Sequence, residues 1–167
     1  MMDAIIARRS IRKYTSSPVP DDVVRDLLRA AMSAPSAYNE QPWHFVVIRD
    51  RGVLDGIPEF HPHTRMLYEA PLAILVCCDQ NLKKTDWFWP QDCAAATENI
   101  LIAVQAKGLG AVWCGVYPRQ ELMDGMRRLL GLPEHITPFS LVSIGYPAEE
   151  KPPADRYDES RVHYDRW

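Results

Sequence analysis

Residues 91–108, QDCAAATENILIAVQAKG, decide the architecture. Alanine, isoleucine, leucine and valine fall on nearly every side of a 3.6-residue turn, and Gly108 supplies a stop. The segment therefore reads as a helix buried at the centre of the molecule. Before it, LAILVCCD at 72–79 is a continuous apolar run of strand length, which suits an interior strand. After it, GAVWCGVY at 110–117 and FSLVSIGYP at 139–147 read as two more strands, with HFVVIRD at 44–50 as a fourth. Between the last pair, PRQELMDGMRRLLG at 118–131 reads as a helix opened by Pro118 and closed by Gly131. Val23, Val24, Leu27, Leu28 and Ala31 recur at helical spacing behind Pro20, Asp21 and Asp22. A short helix is expected at 2–9, weak helix or loop at 51–70, and an exposed loop with large aromatics at 80–90. Helices alternating with at least four strands give an α+β or α/β sandwich.

The 167 residues suit a single domain, residues 1–167, with 47% apolar and 25% charged residues. Size scaling gives roughly 8,400 Å² exposed when folded against roughly 28,000 Å² unfolded, enough burial for an unstapled core. A net charge of -3 provides no general field for nucleic acid or anionic lipid. The longest strongly apolar run, 71–78, is far short of a bilayer span, and the first ten residues do not read as a secretory signal, so a cytoplasmic protein is expected. Cys77, Cys78, Cys93 and Cys114 form no CxxC pair and read as small core residues in a reducing compartment. Together with His61 and His63 they lack the paired spacing of a zinc site, so no metal is expected.

Three clusters carry chemistry. RRSIRKY at 8–14 offers the guanidinium forks of Arg8, Arg9 and Arg12 and the hydroxyl of Ser10, the donor set that a phosphate monoester needs. By itself the run reads more readily as a solvated basic face. SAYNEQPWHF at 36–45 holds the amides of Asn39 and Gln41 between prolines, which suits a ring edge of alternating C=O and N–H groups or an ordinary turn before a strand. Gly108, Gly110 and Gly115 permit close backbone approach to a flat ligand. Their spacing is neither the dinucleotide fingerprint nor a phosphate loop, and no nucleophile elbow or zinc-protease motif occurs.

Taken together, RRSIRKY, APSAYNEQPWHF, WPQDCAAATENILIAVQAKGLGAVWCGVYP and the closing IGYP…KPPADRY resemble, in order and spacing over the whole chain, the FMN-dependent nitroreductase family. The resemblance implies an α+β fold with a central mixed sheet flanked by helices, in an intertwined homodimer with FMN at the subunit interface. It implies that Arg8, Arg9, Ser10 and Arg12 hold the ribityl and phosphate end, with Arg156 returning nearby. Asn39 and Gln41 would come from the other subunit, and backbone at Cys114 and Gly115 would lie beside the isoalloxazine. Tyr38, His61, His63, Trp87 and Trp89 are candidates for lining the substrate face. NADH or NADPH would reduce the flavin, and an electron-poor small molecule such as a nitroaromatic or quinone would reoxidise it, so no catalytic side chain is named. Enone reduction, reductive dehalogenation, flavin fragmentation and a flavin store or sensor without turnover are the alternatives. The chain is shorter than many members, and the lysine often found two residues before the last arginine is Ala154 here. The tail, 148–167, is charged yet aromatic, and is expected to extend from the domain onto the partner subunit.

Overall fold

The computed structural model describes residues 2–167. Its helices are α1 (Met2–Ala7), α2 (Asp21–Met32), α3 (Arg51–Gly56), α4 (Trp89–Ala106) and α5 (Gln120–Leu130), and its strands β1 (Trp43–Ile48), β2 (Leu72–Asp79), β3 (Gly110–Gly115) and β4 (Ile136–Gly145). The strands form one sheet in the order β1-β2-β4-β3, and every neighbouring pair is antiparallel. The expected mixed sheet is thus corrected. The parallel pairing among the described residues is a one-residue bridge, Ser10 to Ala111, on the outer edge of β3.

β2 behaves as its apolar run demands: Leu72 through Cys78 are buried, so both faces of this strand are covered. Ile74, Val76 and Cys78 pack towards α2 and α4, whereas Ala73, Leu75 and Cys77 pack towards α3, α5 and the turns of 57–68. Adjacent Cys77 and Cys78 therefore face opposite layers. Each fully buried leucine or isoleucine in these layers contributes on the order of 1.5–3 kcal/mol. α4 is buried through Cys93, Ala96, Ile100, Leu101 and Val104, as its composition requires.

The boundaries that moved did so for physical reasons. α1 stops at Ala7 because the chain turns extended to lie along β3, where Ile11 N–H donates to Ala111 O at 2.9 Å. That approach needs a bare backbone at Gly110, since a Cβ there would sit 2.7 Å from the Ile11 side chain. β3 ends at Gly115, two residues early, because Val116 and Tyr117 N–H both donate to the one carbonyl of Phe139. α4 begins at Trp89, with Pro90 in its first turn, so Trp89 does not belong to the exposed loop. α5 starts at Gln120 rather than Pro118.

The segment 10–15 is then tied to the chain beyond β4. Thr15 N–H donates to Tyr146 O and Ala148 N–H to Lys13 O, both at 2.9 Å, and buried Tyr14 donates to Ile11 O at 2.7 Å. Burial drives the Tyr14 phenol far above its ordinary pKa, so it remains a neutral donor. The arginine run is thereby fixed against one sheet edge and beside the start of the tail.

Candidate functional site

Arg8, Arg9, Ser10 and Arg12 come together with Lys151 and Arg156 around a cavity of about 180 Å³. Five cations and a hydroxyl face it, and no carboxylate lines it. Two of the arginines are held from behind. Arg8 pairs with Glu98 at 3.3 Å, and Arg9 donates to Pro152 O. Arg12 is anchored by its backbone, whose N–H donates to Glu149 Oε1 at 2.6 Å. That bond, with Lys151 adding to it, holds the Glu149 carboxyl below its usual pKa. Lys151 donates to Ser10 O at 2.7 Å and pairs with Glu149 at 3.3 Å.

Lys151 and Glu149 were not singled out from the sequence. Ala154 stands where the family resemblance implies a lysine, and the ammonium that lines this cavity is that of Lys151, three residues earlier. The available signal was the lysine of AEEKPP, a cation set between two glutamates and two stiff prolines.

The cationic cavity shares Arg12 and Lys151 with a larger one of about 690 Å³. This second cavity is lined by Val112, Trp113, Cys114 and Gly115 of β3, by His61 and His63, and by Met66. Its size lies within the range of small-molecule and cofactor sites. A Cβ at Gly115 would meet nothing within 4 Å, so the backbone of that strand end presents an open, flat surface. Cys114 is buried, which pushes its thiol up to about 11. It stays protonated at neutral pH, donates to His63 O at 3.7 Å, and is not an activated nucleophile. His61 is 2% exposed and sits at the wall of this cavity, whereas His63 is exposed on its rim.

The amide loop lies elsewhere. Tyr38, Asn39 and Gln41 line neither cavity and are exposed. All three hold positive φ, at 52°, 54° and 50°, a costly conformation for non-glycine residues that points to a fixed purpose. Gln41 donates from its side chain to Asn39 Oδ1 at 3.1 Å and from its backbone to Ser36 Oγ at 3.0 Å. Asp92, in the first turn of α4, accepts from Ala37 N–H at 2.9 Å and so pins the loop to the central helix.

Asp92 also explains a pH dependence. Its Oδ2 is buried without a partner, as are both carboxylate oxygens of Glu40. Burial first, and the charge of Glu40 further, raise the Asp92 pKa above the ordinary carboxylate value. The folded chain therefore binds the proton more tightly than the unfolded one, and stability contributed by Asp92 declines as pH rises from the unfolded to the folded pKa. Asp92→Asn keeps an acceptor for Ala37 and removes the charge. We expect its stability at neutral pH to equal or exceed that of the parent chain. Subtracting its urea-unfolding free energies from those of the parent should leave a slope confined to mildly acid pH. Asp92→Leu, which loses the acceptor, should cost about 1–3 kcal/mol. Parallel pH profiles for the parent and Asp92→Asn would refute this account.

The aromatic candidates separate. Trp87 is 75% exposed on the loop before α4, whereas Trp89, expected beside it over the substrate face, is 6% exposed. The Trp89 ring packs edge-on against Tyr117 and Phe139, with centroids 4.7 and 6.1 Å away. No cluster of metal-ligating side chains occurs among the described residues, and no described helix is long and apolar enough to cross a membrane.

Comparison with known proteins bears on the fold and the family. A Methanothermobacter thermautotrophicus protein, provisionally named an NADH dehydrogenase/NAD(P)H nitroreductase, is 50% identical over 167 residues, spanning 100% of this chain and 87% of the relative. The structure of an FMN-dependent nitroreductase from Clostridium difficile is 30% identical, covers 100% of both chains and superposes with a TM-score of 0.93. A Desulfovibrio desulfuricans structure in complex with FMN, provisionally named a nitroreductase, is 31% identical, covers 99% of this chain and 96% of its own, and superposes at 0.85. The family model described as Nitroreductase family matches residues 5–65 and 60–146. Those spans hold the arginine run, the amide loop and the open end of β3, and the fold around them is shared throughout, so the chain belongs to the nitroreductase family.

Proposed function

We propose that the protein is an FMN-dependent oxidoreductase that passes a hydride from NADH or NADPH to an electron-poor small molecule, such as a nitroaromatic or a quinone. The observation that carries this reading is the carboxylate-free cavity of five cations and Ser10, which shares Arg12 and Lys151 with the larger cavity beside Gly115. The first fits a phosphate monoester, and the second accommodates a flat ring system joined to it. When bound, the flavin supplies the redox chemistry at N5. The chain's own residues position and shield it. Arg8, Arg9, Arg12, Lys151 and Arg156 neutralise the phosphate, Ser10 donates to it, and the backbone at Cys114 and Gly115 carries the ring. The neutral Cys114 thiol leaves electrophilic acceptors unattacked.

The functional unit in this reading is a homodimer, in which Asn39 and Gln41 of one copy approach the flavin held by the other. Three features support it. The strained amide loop has no role in its own chain's cavity. α1 exposes Met2, Ile5 and Ile6, and the tail 148–167 exposes Tyr157, Tyr164 and Trp167. Those apolar surfaces need a cover, and a second copy carries the matching set. Four free, buried cysteines suit a reducing compartment, and we place the enzyme in the cytoplasm. We assign Tyr38, His63 and Trp87, which are exposed, to meeting the acceptor, with only His63 on the rim of its own chain's cavity.

A flavin held there would offer one open face to both donor and acceptor, so each would have to leave before the other binds. Initial rates against NADH or NADPH at several fixed quinone concentrations should give parallel double-reciprocal lines. Intersecting lines would mean that both bind together and would exclude the shared face. Bound FMN that the nicotinamide bleaches but no acceptor reoxidises would indicate a flavin store or sensor instead of an enzyme.

A further inference from the structure

The turn at 61–64 and the outer end of β3 are joined by two hydrogen bonds running in opposite directions. His61 Nε2 lies 2.9 Å from Gly115 O, and the Cys114 thiol donates to His63 O at 3.7 Å. A carbonyl only accepts, so the ring proton resides on Nε2. Nδ1 is then a bare lone pair, and it is buried with no partner. β3 has β4 on one side only, and the imidazole occupies the Gly115 carbonyl from outside the sheet. The other end of the same peptide is also fixed, because Val116 N–H donates to Phe139 O at 3.1 Å.

The turn bearing His61 is itself rigid. His61 N–H donates to Ile57 O at 3.0 Å, and the Thr64 hydroxyl donates to His61 O at 2.7 Å. Burial, with His63 and Arg119 nearby, lowers the His61 pKa and keeps the ring neutral. Nothing in the proposed redox cycle calls for this histidine as an acid or base, and its free nitrogen is sealed from the cavity.

We propose that His61 is a positioning residue whose Nε2–H locks the Gly115–Val116 peptide in the plane on which the flavin ring rests, and so tunes the bound cofactor without touching it. This rests on the FMN reading above. A peptide tied at both ends presents fixed dipoles to the ring, whereas a peptide tied only through Val116 can tilt away.

The test compares the parent chain with His61→Gln, whose amide nitrogen reaches the Nε2 position, and His61→Leu, which fills the space without a donor. His61→Leu should shift the midpoint potential and the visible absorption band of bound FMN, and weaken FMN by about three- to tenfold. His61→Gln should restore all three towards parental values. Nitrogen-detected NMR of the flavin-free parent should show the Nε2–H tautomer, a readout that holds even if His61→Leu fails to fold. A proton on Nδ1, or a His61→Leu potential equal to that of the parent, overturns the proposal. So does His61→Gln shifting as far as His61→Leu, since the ring would then act only as filler. A parent chain that takes up no FMN instead removes the functional reading, and this inference with it.

Discussion

Replacing Arg12 with alanine should weaken FMN about ten- to hundredfold and leave riboflavin almost unaffected. Of the three arginines in the run, Arg12 is the one whose guanidinium has no partner among the described residues. Arg8 already spends part of its charge on Glu98, and Arg9 donates to a backbone carbonyl. Arg12 also lines both cavities, so in the proposed reading its fork would stand where the phosphate joins the rest of the cofactor. Charge-assisted hydrogen bonds contribute about 1.5–3 kcal/mol each, which sets the expected range. Folding should be preserved, because the Arg12 side chain is exposed and its anchor to Glu149 is a backbone N–H that alanine retains. Arg12→Lys should fall between, keeping the charge and losing the bidentate fork. The measurement is fluorescence titration of the flavin-free protein with FMN and, separately, riboflavin. Unchanged FMN affinity, or an equal loss for riboflavin, would remove the phosphate assignment.

What could be read from the sequence followed the range of the interactions involved. β2 was bounded correctly at 72–79 because a fully apolar strand carries its signal within itself. α4 was placed within two residues for the same reason, and its early start at Trp89 was hidden by three aromatics that resemble a loop. Sheet order was not legible. β4 inserts between β2 and β3, a choice made by side-chain packing between segments far apart in sequence. The arginine run was legible as a cationic cluster, but the residues that complete its cavity were not. Lys151 meets Ser10 across 141 positions, and no periodicity reports such an approach. Asp92 illustrates a third case. In the sequence it is an acid suited to the first turn of a helix, and only the fold shows it pinning the amide loop through Ala37.

Removing residues 148–167 should affect FMN occupancy more than any single substitution. The deletion takes away two of the five cations, Lys151 and Arg156. It also cuts four tethers on the arginine run: Ala148 to Lys13, Glu149 to Arg12, Lys151 to Ser10, and Pro152 to Arg9. Losing two charge-assisted donors corresponds to about 3–6 kcal/mol, or more than a hundredfold in affinity, before any loosening of the run is counted. The domain itself should stay folded, since no residue of 148–167 is buried and the bond from Thr15 N–H to Tyr146 O survives. If the proposed dimer is right, light scattering should show the truncated chain shifting towards monomer, because the exposed Tyr157, Tyr164 and Trp167 would no longer be there to cover the second copy. The double variant Lys151→Ala with Arg156→Ala separates the two effects. It should lose FMN comparably yet remain dimeric, because the aromatic part of the tail is still present. A truncated chain that keeps both its flavin and its dimer would mean that the tail serves neither. A parent chain that is monomeric and fully flavinated would mean that one copy completes the site, leaving the strained amide loop without the partner this reading assigns to it.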